Sequence, residues 1–328
     1  MINNNELLGV FIVPTGIGAS IGGYAGDASN YARLFSKNNK LIVNPNVVNA
    51  GGFSGIDKNM LYVEGFAIDE FFKGKIHLQE SNNNKIGVIF DKSIPQDVLN
   101  VHINTINAVK TVYGINISDY EITNDEVGVD FYVDESGIST GYVKNIETLY
   151  ESAESLLNNG CDAIGVVCLF KDEDSEDYEN GSGVDPVGGV EAIISHCITK
   201  KFKVPCAHSP AFESCEISSK IVNPKSASEY ITPTFLPCIL IGLNQAPTLS
   251  KKDGISIKDV DYLVVPHNAL GSIPIFEALK RNIPIYAVKE NVTLLNVTNA
   301  SINKTCGINI VSTYQECLEQ IKNDFSLA

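Results

Sequence analysis

One stretch near the amino terminus constrains the fold more than any other part of the chain. An apolar run, Leu7 to Val13, stops at Pro14, and glycines then stand at positions 16, 18, 22, 23 and 26 before a helix-compatible segment opens at Asp27. A short apolar run followed by glycines and a polar helix start is typical of a strand, a tight turn and a helix N-terminus. The stretch therefore predicts a strand–turn–helix unit of an α/β protein.

The glycine-rich turn is also a candidate anion site. Residues without a Cβ let backbone N–H groups approach a ligand, and a helix start adds unsatisfied donors and a positive dipole end. The spacing Gly16-x-Gly18-x-x-x-Gly22 misses the dinucleotide fingerprint by one residue, and no lysine stands where a P-loop needs it. The turn thus predicts either a generic phosphate or carboxylate cradle or a tight turn that only packs a helix on a sheet. The candidate ligand-binding residues are Thr15, Gly16, Gly18, Ser20, Gly22, Gly23 and Asp27.

Composition excludes several classes of function. The net charge of −15 argues against sequence-independent binding to nucleic acid or to an anionic membrane surface, since both need a basic face. No stretch approaches the roughly 20 apolar residues of a membrane span. The amino terminus has neither a basic region nor a small-residue cleavage site, so we expect a cytoplasmic protein, and its 8 cysteines are expected to be mostly reduced and buried.

Alternating strand and helix patterns predict mostly parallel sheets with flanking helices, in two similar α/β lobes around one cleft. We place the division at residue 144, with a lobe carrying the glycine-rich anion-binding loop at 1–144 and a lobe carrying a Cys/His loop at 145–328. The strands are expected at 7–13, 40–43, 60–63, 85–90, 161–170, 202–204, 234–242, 262–265 and 283–288. The helices are expected at 27–37, 95–113, 146–159, 190–200 and 314–324.

Polar loops follow several of the predicted strands, at the sheet edge where open α/β sheets bind ligands. Asn46 and Asn49 follow the second strand, His267 follows the strand at 262–265, and Glu290 and Asn291 follow the strand at 283–288. We expect these side chains to contribute to the ligand site, although each loop could equally be a simple connection. The acidic loop at 171–183 predicts a solvated surface excursion or, alternatively, a mobile lid.

Cys206 and His208 are the strongest candidates for catalysis. Residues i and i+2 share one face of a strand, and the pair stands between Pro205 and Pro210 at an expected strand exit. A thiolate is a strong nucleophile when an imidazolium lowers its pKa. The alternative is a buried cysteine beside a hydrogen-bonded histidine.

Other chemistry remains open in the same half of the chain. Asp185, Glu191 and Glu290 could act as general bases or bind hydroxyl groups, and His196 stands on the helix that carries Glu191. A zinc site using Cys206, His208, His196 and His267 is an alternative without a recognised ligand spacing. A two-thiol acid–base site would instead use Cys206 with Cys168.

Several long motifs resemble an uncharacterised bacterial family, a domain of unknown function. They are VPTGIGASIGGYAGDA, NPNVVNA, YVEGFAID, GVDPVGGVEAIISH, VPCAHSPA, TFLPCILIGLNQAP and AVKEN, and they extend over nearly the whole chain. The resemblance implies that these loops belong to one shared site. It also implies that Cys168 stands outside the family pattern, which often has alanine there, and it implies no particular reaction.

We therefore expect an enzyme that acts on a small anionic metabolite bearing phosphate or carboxylate. The catalytic candidates are Cys206, His208, Glu191 and His196, and the reaction is a lyase, isomerase or hydrolase step. The alternatives are a ligand-binding or nucleotide-sensing module without chemistry, and a zinc enzyme. The off-register glycines weaken a nicotinamide or flavin cofactor, so the cofactor stays unknown, and a homo-oligomer stays open.

Overall fold

A computed structural model describes residues 6–81, 83–171, 176–303 and 306–325. The strands are β1 (Leu8–Phe11), β2 (Lys40–Val43), β3 (Asn49–Ala50), β4 (Phe53–Ser54), β5 (Met60–Tyr62), β6 (His77–Gln79), β7 (Ile86–Phe90), β8 (Ile117–Ile122), β9 (Val129–Val133), β10 (Ser139–Val143), β11 (Ala163–Leu169), β12 (Cys206–Ala211), β13 (Thr248–Ser250), β14 (Tyr262–Pro266), β15 (Ile285–Val288) and β16 (Ile308–Val311). The helices are α1 (Ser29–Ser36), α2 (Pro45–Val48), α3 (Gly65–Phe72), α4 (Gln96–Tyr113), α5 (Ile146–Asn158), α6 (Glu176–Glu179), α7 (Gly188–Phe202), α8 (Ala227–Tyr230), α9 (Leu236–Asn244), α10 (Ile273–Arg281) and α11 (Tyr314–Asp324).

The first sheet contains six parallel strands in the order β16-β15-β14-β1-β2-β5. Its central strands are apolar and buried on both faces, as helices covering a parallel sheet require. The chain starts at β1, moves outward to β5, and later returns to β14 on the other side of β1. The strand order therefore reverses between β1 and β14, and open α/β sheets bind ligands beside such a reversal.

The second sheet contains four parallel strands in the order β12-β11-β7-β8. The apolar run that ends near residue 170 forms β11, which is buried along its length except at its last residue. An antiparallel ribbon of β9 and β10 and two smaller strand pairs accompany the sheets. The two large sheets confirm the predicted α/β class with mostly parallel strands.

The predicted division at residue 144 does not separate the two sheets. The first sheet takes β1, β2 and β5 from the first part of the chain and β14 to β16 from its last part, and the second sheet is formed between them. Residue 144 lies between β10 and α5, inside the segment that forms the second sheet. Hydrophobic patterning locates strands but does not say which strands pair, and an inserted unit was therefore missed.

Two predicted strands are helical. Residues 236–244 form α9, whose mostly buried residues pack against β11 and β12 on one side and against β3 and β4 on another. A helix buried on most sides shows no 3.6-residue pattern, and so its apolar run resembles a buried strand. Residues 202–204 end α7, where Lys203 is the C-cap in a left-handed conformation, and the strand begins afterwards at Cys206.

Candidate functional site

A cavity of about 300 Å³ lies at the carboxyl ends of the first sheet's strands and beside β12 of the second sheet. Thr15 follows β1, Asn46 follows β2 and Glu64 follows β5, and each of these residues lines the cavity. From the second sheet, β12 contributes His208, and α7 packs against that strand. We call this space the central cavity, and its size suits a small metabolite.

Carboxylates dominate the charged groups of the central cavity. The acidic residues that line it are Glu64, Asp69, Asp185, Glu191 and Glu229. His196 and His208 also line it, and no lysine or arginine does so among the described residues. Burying like charges together is unfavourable unless they are protonated or meet a cation. The cavity is therefore suited to a cationic group or to bound protons rather than to an anion.

Helix α7 brings three polar side chains to one place. Glu191 and Ser195 are four residues apart and so lie on one face of the helix. The Ser195 Oγ lies 2.9 Å from Nδ1 of His208, and Nε2 of His208 lies 3.8 Å from Oε2 of Glu191. The histidine ring is thus held by a hydroxyl on one nitrogen while the other nitrogen faces a carboxyl group.

Burial decides the protonation of this pair. Desolvation lowers the pKa of His208 to about 3, and the neighbouring His196 adds to the effect. Desolvation also raises the pKa of Glu191 well above its usual range, with further repulsion from Asp185 and Glu229. Burial therefore favours the uncharged form of both residues, which has the proton on the carboxyl group and a free lone pair on the imidazole. The Glu191 Oε1 is buried and has no hydrogen-bond partner among the described residues.

A second acidic pair lies on the neighbouring wall. Burial and the charge of Asp185 raise the pKa of Glu229 to about 8, although a hydrogen bond with Tyr178 partly opposes this. Burial likewise raises the pKa of Asp185, against the effect of backbone donors at Val187 and Gly188. The carboxyl groups of Glu229 and Asp185 are thus expected to retain one proton between them near neutral pH.

A further acidic residue of the cavity, Glu64, is paired with His196. Glu64 caps α3 by accepting hydrogen bonds from the backbone of Phe66 and Ala67, and its Oε1 lies 2.8 Å from Nε2 of His196. Burial alone lowers the pKa of His196, but the hydrogen bond and the charges of Glu64 and Asp69 outweigh it and raise the pKa. His196 is thereby fixed at the N-terminus of α3.

Three consecutive amides of the glycine-rich loop have partners inside the protein. The backbone N–H of Ser20 donates to the carbonyl of Val292, that of Ile21 donates to Asn291, and that of Gly22 donates to Asp27. These amides are therefore not available to an anion. From this loop, only Thr15 and Gly23 among the candidate residues line the central cavity.

The loop glycines instead permit close packing. Gly16 has φ +73° and lies against the backbone of Ser139 and Gly189, and Gly18 has φ +56° and lies against Leu294. The predicted helix start at Asp27 is also corrected: α1 begins at Ser29 without a side-chain cap. Asp27 is used within the loop, where burial raises its pKa to about 6.

The remaining ligand-binding candidates divide into two groups. Asn46 and Asn49 line the central cavity, although the first donates to the carbonyls of Val13 and Pro14 and the second accepts from the Tyr62 hydroxyl. Outside that cavity lie Ser20, Glu290, Asn291 and His267. The Glu290 carboxylate accepts from the backbone of Tyr314, and Asn291 is fully buried, so both have structural contacts instead.

Cys206 is separated from the candidate chemistry by burial. Its side chain is 1% exposed within an apolar cluster that also contains Cys168, and it does not line the central cavity. Desolvation raises the pKa of both thiols well above the usual range, whereas a nucleophile needs a lowered pKa. The structure therefore supports neither a nucleophilic role for Cys206 nor the two-thiol alternative.

The proposed zinc ligands are not gathered. Among the described residues, no group of three or more histidine, cysteine, aspartate or glutamate side chains is placed to hold a metal ion. His267 follows β14 in the first sheet and is absent from the residues that line the cavity with His196 and His208.

Of the acidic loop at 171–183, residues 172–175 lie outside the described part, so the prediction of a lid falls partly on them.

Sequence reasoning missed several polar residues of the cavity, among them Glu64, Asp69, Tyr178, Ser195 and Glu229. For Glu64 a signal existed, because a carboxylate directly after a strand and before a glycine points to a sheet edge. Ser195 was visible four residues after Glu191 on one helix face. Glu229 lies in a region of irregular structure and a single helical turn, where no periodicity indicated which way its side chain would point.

Residues 8–323 match a family model described as "Protein of unknown function (DUF3326)". The chain belongs to this family. The match confirms the resemblance given by the sequence motifs. An uncharacterized lipoprotein of Synechococcus sp. (strain ATCC 27144 / PCC 6301 / SAUG 1402/1) is 39% identical over 302 residues, which cover 89% of this chain and 84% of that protein. No solved structure matches the chain.

The expected cytoplasmic location is wrong. The name of that close relative, a lipoprotein, points to a membrane-anchored or extracellular place rather than to the cytoplasm. Within the described residues, each helix is too short or too polar to cross a bilayer.

Proposed function

We propose that this family member binds a small metabolite with a positively charged amine in the central cavity and carries out acid–base chemistry on it. The observation that carries the proposal is the charge of the central cavity's lining, which has five carboxyl groups and, among the described residues, no lysine or arginine. A buried ammonium group would offset their repulsion and donate hydrogen bonds to them. The earlier expectation of an anionic ligand stays a prediction that this lining does not favour.

The Asp185–Glu229 pair is the proposed ammonium site. Its mutual repulsion is the second-largest cause of the raised pKa of Glu229, after burial. An arriving cation would stabilise the ionised forms and displace the retained proton. The free energy lost by keeping two carboxyl groups together is thereby recovered when the ligand binds.

Glu191 and His208 are the proposed acid and base. An uncharged carboxyl group can donate a proton and an uncharged imidazole can accept one, so the pair is ready for both halves of a proton transfer. The Ser195 hydroxyl donates to the carbonyl of Ala192, so its Oγ would accept from Nδ1–H of His208 and leave Nε2 as the nitrogen that accepts the proton. This assignment fits an isomerase or lyase step, in which a proton is removed from carbon.

Binding is tested by calorimetry with two probes of similar shape and opposite charge, butylamine and butyrate, at pH 7. We expect the amine to bind and the carboxylate not to bind. Glu229→Gln should weaken the amine about tenfold by removing one charge-assisted contact. The matched control is Glu319→Gln on the exposed surface of α11, which should change nothing. Binding of butyrate in preference to butylamine would overturn the proposal.

Chemistry is tested by proton NMR in D₂O with a panel of amines and amino acids. We expect the wild-type protein to exchange a carbon-bound proton of at least one bound compound. His208→Asn and Glu191→Gln should bind that compound but not exchange it. Binding without exchange across the panel would favour the alternative, a ligand-binding module without chemistry.

A further inference from the structure

A second cavity of about 340 Å³ adjoins the central one. We call it the side cavity. Both cavities are lined by Asp185, Glu191, Glu229 and Pro210, so these residues form the boundary between them. A ligand whose ammonium group reaches the acidic pair would therefore have a second compartment directly beside it.

The lining of the side cavity differs from that of the central cavity. Two partly exposed phenylalanine rings, Phe131 and Phe212, line only the side cavity, and a third, Phe235, lines both cavities. Pro233 and Lys171 also line only the side cavity. The rings of Phe212 and Phe235 meet edge to face with centroids 6.3 Å apart. Aromatic walls in this arrangement bind a flat apolar group by burial and by ring–ring contact.

We infer that the ligand is an amine carrying an aromatic group, with its ammonium at Asp185 and Glu229 and its ring in the side cavity. The inference rests on the proposed function and deepens it, because it names the substrate class. Two adjoining cavities with shared acidic residues and one aromatic wall fit a ligand with these two unlike ends. A purely aliphatic amine would leave the phenylalanine wall exposed to water.

The test measures the dissociation constants of three probes: butylamine, 4-phenylbutylamine and the uncharged 4-phenylbutanol. We expect the aryl amine to bind at least tenfold more tightly than butylamine, since its phenyl ring would be removed from water. We expect 4-phenylbutanol to bind at least tenfold more weakly than the aryl amine.

Variants test whether the tighter binding of 4-phenylbutylamine, its advantage over butylamine, comes from the phenylalanine wall of the side cavity. Phe131→Ala and Phe212→Leu should each reduce it at least threefold while leaving butylamine affinity unchanged, and either variant suffices if the other fails to fold. The matched control is Phe276→Ala, an exposed phenylalanine on α10 that lines neither cavity and should leave the advantage intact.

Three outcomes overturn the inference, and they differ in what they say about the proposed function. If butylamine binds through Glu229 but the phenyl ring adds nothing, the inference fails and the ammonium site stands. If 4-phenylbutanol binds as tightly as the aryl amine, the ammonium site fails as well. If the wall variants weaken both amines equally, the ring does not occupy the side cavity.

Discussion

The glycine-rich loop and the acidic wall of the central cavity make opposite use of their polar groups. In the loop, the N–H groups of Ser20, Ile21 and Gly22 all have partners inside the protein. On the wall, Asp185, Glu191 and Glu229 are gathered without a lysine or arginine in the described lining of the central cavity, although Lys171 lines the adjoining side cavity. A region with satisfied polar groups stabilises the fold, whereas a region left unfavourable in the empty protein is where ligand binding recovers free energy.

The largest expected effect is a loss of stability that distinguishes the glycine-rich loop from the acidic wall. Asn291 is fully buried and bonds both the N–H and the carbonyl of Ile21 and the hydroxyl of Tyr314. Asn291→Ala should lower the free energy of unfolding by about 3 kcal/mol, since several buried groups lose partners. Urea unfolding measures this, and Asn100→Ala on the exposed face of α4 is the control. Amine affinity should stay within twofold, and a large loss of affinity would assign the loop to the site.

The next effect concerns pH. The folded pKa of Glu229 is about 8, above its ordinary value of 4.5, so the folded protein retains a proton that the unfolded chain releases between those values. Stability from this group is fully present below pH 4.5 and is lost as pH rises through 8.

Between pH 5 and pH 9, the free energy of unfolding of the wild type should therefore fall by about 2 kcal/mol more than that of Glu229→Gln, after allowance for solvent screening. Melting temperatures across that range give the comparison. Parallel pH profiles for the two proteins would mean that the acidic wall carries no repulsion.

A smaller effect tests the packing role of the loop glycines. A Cβ on Gly22, at φ +85°, would lie 2.9 Å from the Val13 side chain, whereas a Cβ on Gly114, at φ +67°, meets nothing within 4 Å. Both alanine variants carry backbone strain, and Gly22→Ala should cost about 1 kcal/mol more than Gly114→Ala because of the contact. Chemical denaturation of both variants checks this, and equal costs would show that Val13 moves aside.

The smallest effect concerns the buried thiol. Cys206→Ala should cost about 1 kcal/mol of stability by leaving a small cavity in the apolar cluster. Amine binding and proton exchange should be unchanged, in contrast to the loss of exchange expected for His208→Asn. Loss of exchange in Cys206→Ala with binding retained would restore the thiol to the chemistry.

The sequence located most strands and helices because their periodicity and breakers are local. Lys40–Val43 and Tyr314–Asp324, for example, are found as a strand and a helix at the expected residues. Pairing is not local, so the return of the chain to β14 beside β1 was invisible. Burial along one strand could not be seen in the sequence either. Cys206 and His208 share a face of β12, but the cysteine, at the first residue of the strand, lies in the apolar cluster, and the histidine, two residues further along, lines the central cavity.

The expectation of an anionic ligand rested on local signals for a related reason. Glycines are conspicuous in a sequence and suggest free amides, but whether an amide is free depends on distant residues such as Asn291 and Val292. The acidic wall is conspicuous only after folding, because Asp185 and Glu191 come from one segment at the start of α7 and Glu229 comes from another about 40 residues later.

The most direct measurement of the central claim is the number of protons released when butylamine binds at pH 7. Calorimetry in buffers of different ionisation enthalpy gives this number. We predict the release of roughly 0.5 to 1 proton per amine, because the pKa of Glu229 is about 8 in the empty protein and the bound ammonium ionises it. The release should disappear in Glu229→Gln. Binding without proton release in the wild type, or with proton uptake, would contradict the account.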